Sequence, residues 1–478
     1  MTKNETREGI VVAVGMNGEG VLKDEGKTVF VPFSLTGEKI KYRVLKVNNN
    51  IVFGKVAEIL TPADERVRPK CPVFGKCGGC QLQHVKYISQ LKIKEDNIAT
   101  CFKKVAGLKV TVSPTVRGDF EYRYRNKLQL PVATDKNGET IIGFYAENSH
   151  RVVPVDDCLI NPIWTADVIK AFREYMELAG LKGYDEITGA GDVREITVKE
   201  VKGKLLITVV ATKDELPQEN ELLNILEKNV KYVFSLFLNV NKSQGNVIYG
   251  DKFRRIRGSK EFSSDMLGIK YSVGVQSFTQ VNDCVCAKMY STVNALIGAD
   301  EDTTVIDAYS GAGLMTALIA KRAKKTIGIE VVPEAVNIAN KVACANKMDD
   351  KIVNYLGKCE DILPDVIKGE RVNGNKIAVV LDPPRKGCEI SVIKALVENQ
   401  ADRIVYVSCK PSTLARDVGL IVGTLAEENG EIKKVENPSP RYTVECVKPF
   451  DMFAQTKHVE TVVLLTRNSE NIENGINR

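Results

Sequence analysis

Four short apolar runs in the C-terminal half constrain the fold more than any other feature: Thr304 to Ala308, Thr326 to Glu330, Ile377 to Asp382 and Arg403 to Ser408. Stretches of helical texture lie among them, at about Leu314 to Ala323, Pro333 to Asn346 and Glu389 to Glu398. Strands that alternate with helices build a parallel α/β sheet, because each crossover helix covers a face of the sheet it returns to. A last strand pair brackets Val459 to Leu465. An α/β domain of the doubly wound kind is expected over residues 266–468.

At 478 residues the chain is too long for one core. Residues 1–60 read as all-β, with strands at Val29 to Phe33 and Lys39 to Val47 between glycine turns, so a small β-barrel is expected there. Thr61-Pro62 marks a boundary. A central mixed α/β domain follows over 61–265, with helices at Lys86 to Val105 and Pro162 to Leu178 and strands at Glu195 to Val201 and Lys204 to Thr212. The polar tail, 469–478, is expected to be disordered. No apolar stretch approaches the roughly 20 residues that span a bilayer, and Met1 to Gly9 has no signal-peptide core; a cytoplasmic protein is expected. The net charge of +6 suits a nucleic-acid partner and equally an ordinary solvated surface.

Twelve cysteines without an export signal argue against a disulfide framework. Cys71, Cys77, Cys80 and Cys158 stand apart by context, and so does Cys409; the others read as small buried hydrophobes. One C-x2-C with two further cysteines suits zinc and an iron–sulfur cluster about equally, since both take four thiolates.

Three motifs carry chemistry. Val305-Ile306-Asp307 ends a strand, and Ala308-Tyr309-Ser310-Gly311-Ala312-Gly313 then leads into a helix, bringing backbone close to a ligand at the carboxyl edge of the sheet. Glu330 closes the next strand, where a carboxylate can accept two ribose hydroxyls. A third glycine at the dinucleotide spacing is missing, so a methyl-donor site is favoured over NAD. Asp382-Pro383-Pro384-Arg385 leaves a strand with a preset, rigid exit. Val407-Ser408-Cys409-Lys410-Pro411 places a thiol at a strand's end, with Lys410 and Arg416 as cations to favour its thiolate. Addition of such a thiolate to carbon-6 of a uracil would make carbon-5 nucleophilic. A base must then remove the carbon-5 proton; His458 and Glu460 are the candidates, and strand alternation would put both on one face.

Together these residues resemble the RNA uridine carbon-5 methyltransferase family, in particular the TRAM-domain members that modify 23S rRNA. The motifs are C-x5-C-G-G-C, S-F-T-Q-V-N, D-A-Y-S-G-A-G, D-P-P-R-K-G and S-C-K-P-S-T-L-A-R-D, with H-V-E near the end. The resemblance implies an N-terminal TRAM barrel, a central iron–sulfur domain and a C-terminal Rossmann-like class I methyltransferase domain. It implies S-adenosylmethionine as methyl donor, with Gln280, Tyr309, Glu330 and Asp382 contacting it. Cys409 falls on the nucleophile and Glu460 on the base. A [4Fe–4S] cluster is carried over onto Cys71, Cys77, Cys80 and Cys158, as a structural or RNA-positioning group. The expected partner is 23S rRNA, approached by a monomer that flips a loop uridine out of its stack. The sequence departs from the family where Phe453 is followed by Ala454 rather than proline. A tRNA uridine methyltransferase, an amino-group methyltransferase and a non-catalytic RNA-binding assembly factor are the alternatives. The TRAM segment and the cluster cysteines argue against the tRNA enzyme, Cys409 against amino-group transfer, which has no need of a thiol, and Cys409, Glu330 and Gln280 together against a non-catalytic factor.

Overall fold

The structure is a computed structural model and describes residues 1–468; the tail expected to be disordered, 469–478, lies outside the described residues. The C-terminal sheet has seven strands, β1 (Thr303–Ala308), β2 (Lys325–Glu330), β3 (Ile352–Leu356), β4 (Lys376–Leu381), β5 (Arg403–Ser408), β6 (Tyr442–Phe450) and β7 (Glu460–Arg467). Their order is β3-β2-β1-β4-β5-β7-β6. The first five run parallel, while β7 is antiparallel to both β5 and β6.

The apolar runs are unbroken because both faces of the sheet are covered. Ile306, Ile327, Val379, Ile404 and Tyr406 point into one core, capped by the helices Cys359–Val372, Ile390–Glu398 and Pro411–Val422. Their neighbours Val305, Ala378, Val380, Val405 and Val407 point into the other, under the helices Asp283–Ile297, Leu314–Ala320 and Pro333–Ala345. The chain reverses direction across the sheet between β1 and β4, which opens a crevice at their carboxyl ends.

Residues 6–61 form a curled six-stranded sheet that wraps a core of Val11, Leu22, Val29, Val31, Ile40, Tyr42, Val44 and Val52. Its final strand ends at Thr61, where the sequence places a boundary. The middle of the chain is a seven-stranded mixed sheet running from Lys252–Arg257 at one edge to Val152–Pro154 at the other. The helices Trp164–Leu178 and Glu219–Asn229 pack on it through Trp164, Phe172, Leu222 and Leu226. Among the described residues no helix is long and apolar enough to cross a membrane.

Two connections differ from the sequence expectation. The helix read at 86–105 forms as Tyr87–Cys101, widens into a π-helical turn over Phe102–Ala106 and stops at Gly107, whose φ is 70°. Although it was expected in the central domain, Ile98 and Phe102 pack with Leu414 and Val418 in the C-terminal core. The chain beyond it then bridges to β6 at Val112–Val447 and Val116–Phe450. The expected boundary at 265/266 falls inside a hairpin of Glu261–Met266 and Ile269–Gly274. Phe262 and Val273 of that hairpin join Val201 and Phe237 of the middle sheet, while Met266 and Ile269 join Met289 and Ile319.

The early helix also fixes the segment that enters β7. Lys94 and Asp451, both fully buried, pair at 2.5 Å, and the Tyr87 hydroxyl donates to the same carboxylate at 2.7 Å. Gln90 donates to Gln455 at 3.0 Å and accepts from its backbone N–H. Removing one member of a buried pair strands a charge at a cost of about 3–5 kcal/mol, so this link is rigid.

Candidate active site

Strand direction assembles the site. The four parallel strands β1, β2, β4 and β5 deliver Tyr309, Glu330, Asp382 and Cys409 to one edge, each at or just past its carboxyl end. β7 runs the other way, so its first residue, Glu460, starts at that same edge. Ser408 pairs with Thr461, and this register sets Cys409 beside Glu460. A single cavity of about 2090 Å³ is lined by Gln280, Tyr309, Glu330, Asp382, Cys409 and Glu460 together. Residues spread over 180 positions of sequence thus meet in one space.

The loop after β1 is held in a conformation most side chains avoid. Tyr309 has φ of 67°, in the left-handed region that costs a bulky residue energy. Burial, with the Cys388 and Cys359 thiols adding, raises its phenol well above the usual tyrosine range. Gly328 is required by packing, because a Cβ there would collide with the Asn354 side chain. Glu330 accepts backbone N–H bonds from Gly311 (2.9 Å) and Val332 (2.8 Å), which anchor its carboxylate at the cavity wall.

Gln280 is positioned from the middle sheet. Asn126 donates to the Gln280 carbonyl at 3.0 Å and to Asp283 at 2.8 Å, and the buried Lys199 amine donates to the carbonyls of Val275 and Ser277. Neither Asn126 nor Lys199 was picked out from the sequence; each lies more than 75 positions from the segment it holds.

Burial dominates the electrostatics of the reacting groups. It pushes Glu460 up to about 8, with the Asp382 charge adding and Arg385 opposing. Burial raises Asp382 to about 7, with Asp307 adding. Asp307 is also raised to about 7 by burial, against a hydrogen bond from the Thr316 hydroxyl at 2.5 Å. The Cys409 thiol is raised by burial and by the Glu460 charge, while a hydrogen bond from Arg385 favours the thiolate. A pocket so rich in carboxylates favours a cationic ligand and penalises an anionic dinucleotide.

The cation beside Cys409 is therefore Arg385, which corrects the expectation of Lys410 and Arg416. Lys410 is exposed, and its backbone N–H bonds to Ser408. Arg416 is committed to Asp417, 2.7 Å from its Nε. The available signal was Arg385 itself, in the D-P-P-R motif. The expectation for His458 is also corrected: β7 begins at Glu460, so His458 precedes the strand. Burial and the nearby cations, Arg385 first among them, lower the His458 imidazole to about 4. It packs edge-on against Phe453 and does not line the cavity, whereas Glu460 does, which leaves Glu460 as the base candidate.

The four remaining cysteines gather elsewhere, between the N-terminal and middle sheets. Cys80 is pushed up to about 12 by burial, with Gln83 opposing and the Cys158, Cys77 and Cys71 sulfurs adding. Cys158 rises to about 11 by burial, against N–H bonds from Ile160 and Asn161, with Cys77 and Cys71 adding. These thiols lie within electrostatic range of one another. Gly79 donates its N–H to Cys77 Sγ at 3.4 Å, and Gly78 packs so closely on Glu147 that only glycine fits. All four are free thiols, and among the described residues no group of three or more His, Cys, Asp or Glu is arranged to hold a metal ion. The cluster expected from the sequence gains no direct support from that arrangement. Of the cysteines read as buried hydrophobes, Cys101, Cys286, Cys359 and Cys388 are buried, whereas Cys344 is exposed.

The family described as tRNA (uracil-5-)-methyltransferase matches residues 242–468. An uncharacterised RNA methyltransferase of Clostridium tetani is 35% identical over 468 residues, covering 97% of each chain. Another, from Halalkalibacterium halodurans, is 35% identical over 470 residues, covering 97% of this chain and 98% of its own. The crystal structure of Pyrococcus abyssi tRNA (uracil-54, C5)-methyltransferase in complex with S-adenosyl-L-homocysteine superposes with a TM-score of 0.73. It is 24% identical, and the match covers 96% of this chain and all of that one, so the two share a fold from the N-terminal sheet onward.

Proposed function

This chain belongs with the RNA methyltransferases that it matches over 97% of its length, and, since its residues 242–468 match the uracil-5-methyltransferase model, we propose that it methylates carbon-5 of a uridine in 23S rRNA. The observation that carries the proposal is the placement of Cys409 and Glu460 at neighbouring ends of adjacent antiparallel strands, each one residue beyond the Ser408–Thr461 pair, in a cavity that Arg385 also lines. Cys409 Sγ adds to carbon-6 of the uracil, forming an S–C6 bond and moving the ring's electron pair toward carbon-5 and its carbonyl. S-adenosylmethionine supplies the methyl group that carbon-5 then takes. Glu460 removes the carbon-5 proton, the ring double bond re-forms and the thiolate leaves. Glu330 would hold the ribose of the donor, with Gln280, Tyr309 and Asp382 around the rest of it. The carboxylate-rich wall suits its positive sulfonium.

RNA would also meet the N-terminal sheet. Arg43, Lys46 and Lys55 are exposed there, and Phe53, 43% exposed, stacks on Phe30 at 6.0 Å. Cations beside an open aromatic face suit a single strand. The choice of 23S rRNA rests on the sequence resemblance. One observation favours tRNA instead: the fold of the Pyrococcus abyssi tRNA enzyme extends over nearly the whole chain, so the N-terminal sheet does not separate the two substrates. Mapping 5-methyluridine in cells that lack the protein decides between them. Loss from 23S rRNA with tRNA unchanged is expected; loss confined to tRNA would overturn the rRNA assignment and leave the chemistry standing.

On the sequence resemblance, the thiols of Cys71, Cys77, Cys80 and Cys158 would be the donor set of a [4Fe–4S] cluster. Burial raises the Cys77, Cys80 and Cys158 thiols, and such groups become stable thiolates only around a cationic centre; the Gly79 N–H already donates to one of the sulfurs, Cys77 Sγ. The group would be structural, since Leu82 and Gln81, just beyond Cys80, bond to Gln455 and Lys457 in the segment that leads to Glu460. Anaerobically purified protein is expected to carry about four irons per chain. Stoichiometric zinc without iron would contradict this.

A further inference from the structure

The motif S-C-K-P-S-T-L-A-R-D continues well past the nucleophile, and nothing in the reaction uses its last residues. The helix Pro411–Val422 carries them, and three of its side chains turn toward the loop that follows β4. Asp417 is fully buried. It accepts the backbone N–H of Cys388 at 2.8 Å, the Tyr406 hydroxyl at 2.6 Å and Arg416 Nε at 2.7 Å. Arg416 reaches on to the carbonyls of Lys386 (2.9 Å) and Cys388 (3.4 Å). The Thr413 hydroxyl lies 3.2 Å from the Arg385 carbonyl and 3.1 Å from that of Lys410.

Between them these groups engage the backbone of Arg385, Lys386 and Cys388. The loop itself is a tight turn, closed by the Gly387 N–H on the Pro384 carbonyl at 2.8 Å. Gly387 has φ of 82°, and a Cβ there would collide with Asp417 and Arg416, so loop and helix fit with no room to slide. One member of this loop, Arg385, lines the same cavity as Cys409, and its charge favours the Cys409 thiolate. The helix that starts two residues after the nucleophile therefore grips the loop that supplies the nucleophile's cation.

We propose that Asp417, with Arg416 and Thr413, is a positioning element that sets the register of the 384–388 loop and so holds the Arg385 guanidinium on the Cys409 thiol. It rests on the reading of Cys409 as the nucleophile and adds how that thiol is kept reactive in the free protein. Asp417 touches neither the thiol nor the cavity, so its effect passes through Arg385. A buried network with every member satisfied holds one geometry, and a half-satisfied one does not.

The test reads the thiol directly, without RNA or methyl transfer. Full-length protein is treated with iodoacetamide across a pH series, and alkylation of the Cys409 peptide is followed by mass spectrometry. Arg385→Gln is expected to move the alkylation midpoint up by about one pH unit, which is about tenfold in rate near neutral pH. Asp417→Asn should give the same displacement, and the double variant no more than either alone, because both substitutions remove one interaction. An unmoved midpoint in Asp417→Asn, or displacements that add in the double variant, overturns the proposal. Should Asp417→Asn fail to fold, Arg416→Lys keeps the cation but loses the fork to Lys386 and Cys388. It is then read the same way: a raised midpoint supports the brace, an unchanged one removes it. Failure of the catalytic reading looks different: the midpoints would still move while no RNA adduct forms through Cys409.

Discussion

Cys409→Ala is expected to lower turnover by on the order of 10⁴-fold or more, the loss seen when a covalent nucleophile is deleted. That corresponds to about 5.5 kcal/mol of transition-state stabilisation. Donor binding should survive, because Cys409 stands at the end of β5, while the Tyr309–Gly313 turn and Glu330 follow β1 and β2 and are held by their own backbone bonds. Measuring S-adenosylhomocysteine affinity beside methyl transfer separates the two: affinity within about twofold of wild type, with turnover gone. Full activity in the alanine variant would remove the covalent mechanism altogether.

Glu460→Gln should fail at a different step. The amide cannot take the carbon-5 proton, so methylation proceeds and elimination stops. Turnover is expected to fall by about 10²–10⁴-fold, the range for a lost general base. Protein–RNA adduct carrying the methyl group should accumulate on denaturing gels. The pH dependence adds a second signature. Burial, with Asp382 adding, places the Glu460 carboxyl at about 8 in the free protein. A base works in its deprotonated form, so adduct release in the wild type should speed up as pH rises toward about 8 and level off above it; in the glutamine variant that limb should vanish. Unchanged turnover with no trapped adduct would assign the base elsewhere.

How much of this was readable in advance follows from where each residue is buried. β1, β2, β4 and β5 are covered on both faces, so their runs are continuous and their ends, with the site residues on them, stand out. β3 sits at the sheet edge with an exposed face, and its Ile352–Leu356 includes Asn354 and the half-exposed Tyr355, so no run announced it. The helix Cys359–Val372 carries Pro364 in its body, which disguises helical texture. The helix Pro411–Val422 starts with proline at its first position, where the missing N–H has no cost, yet it was read only as a motif.

At the site, the residues bound to strand ends could be placed by counting, whereas their neighbours across space could not. Lys410 is adjacent to Cys409 in sequence, but the turn carries its side chain into solvent, and the loop after β4 brings Arg385 in its place. The helix Tyr87–Cys101 was read correctly as a helix and assigned to the wrong neighbour. Its tie to the C-terminal unit runs through Lys94–Asp451, a pair 357 positions apart that no local pattern encodes. Gln280 was reached by motif, but the Asn126 and Lys199 contacts that seat its loop depend on packing between the middle and C-terminal sheets.

The most direct test replaces the hydrogen at carbon-5 by fluorine, which no base can abstract. Ribosomal RNA and tRNA transcribed with 5-fluorouridine are incubated with the protein and S-adenosylmethionine, digested and sequenced by mass spectrometry. A methylated fluorouridine attached to the peptide that contains Cys409 is predicted, and it should be missing from the Cys409→Ala variant. No linkage with either RNA, or a linkage through a different side chain, would contradict the account.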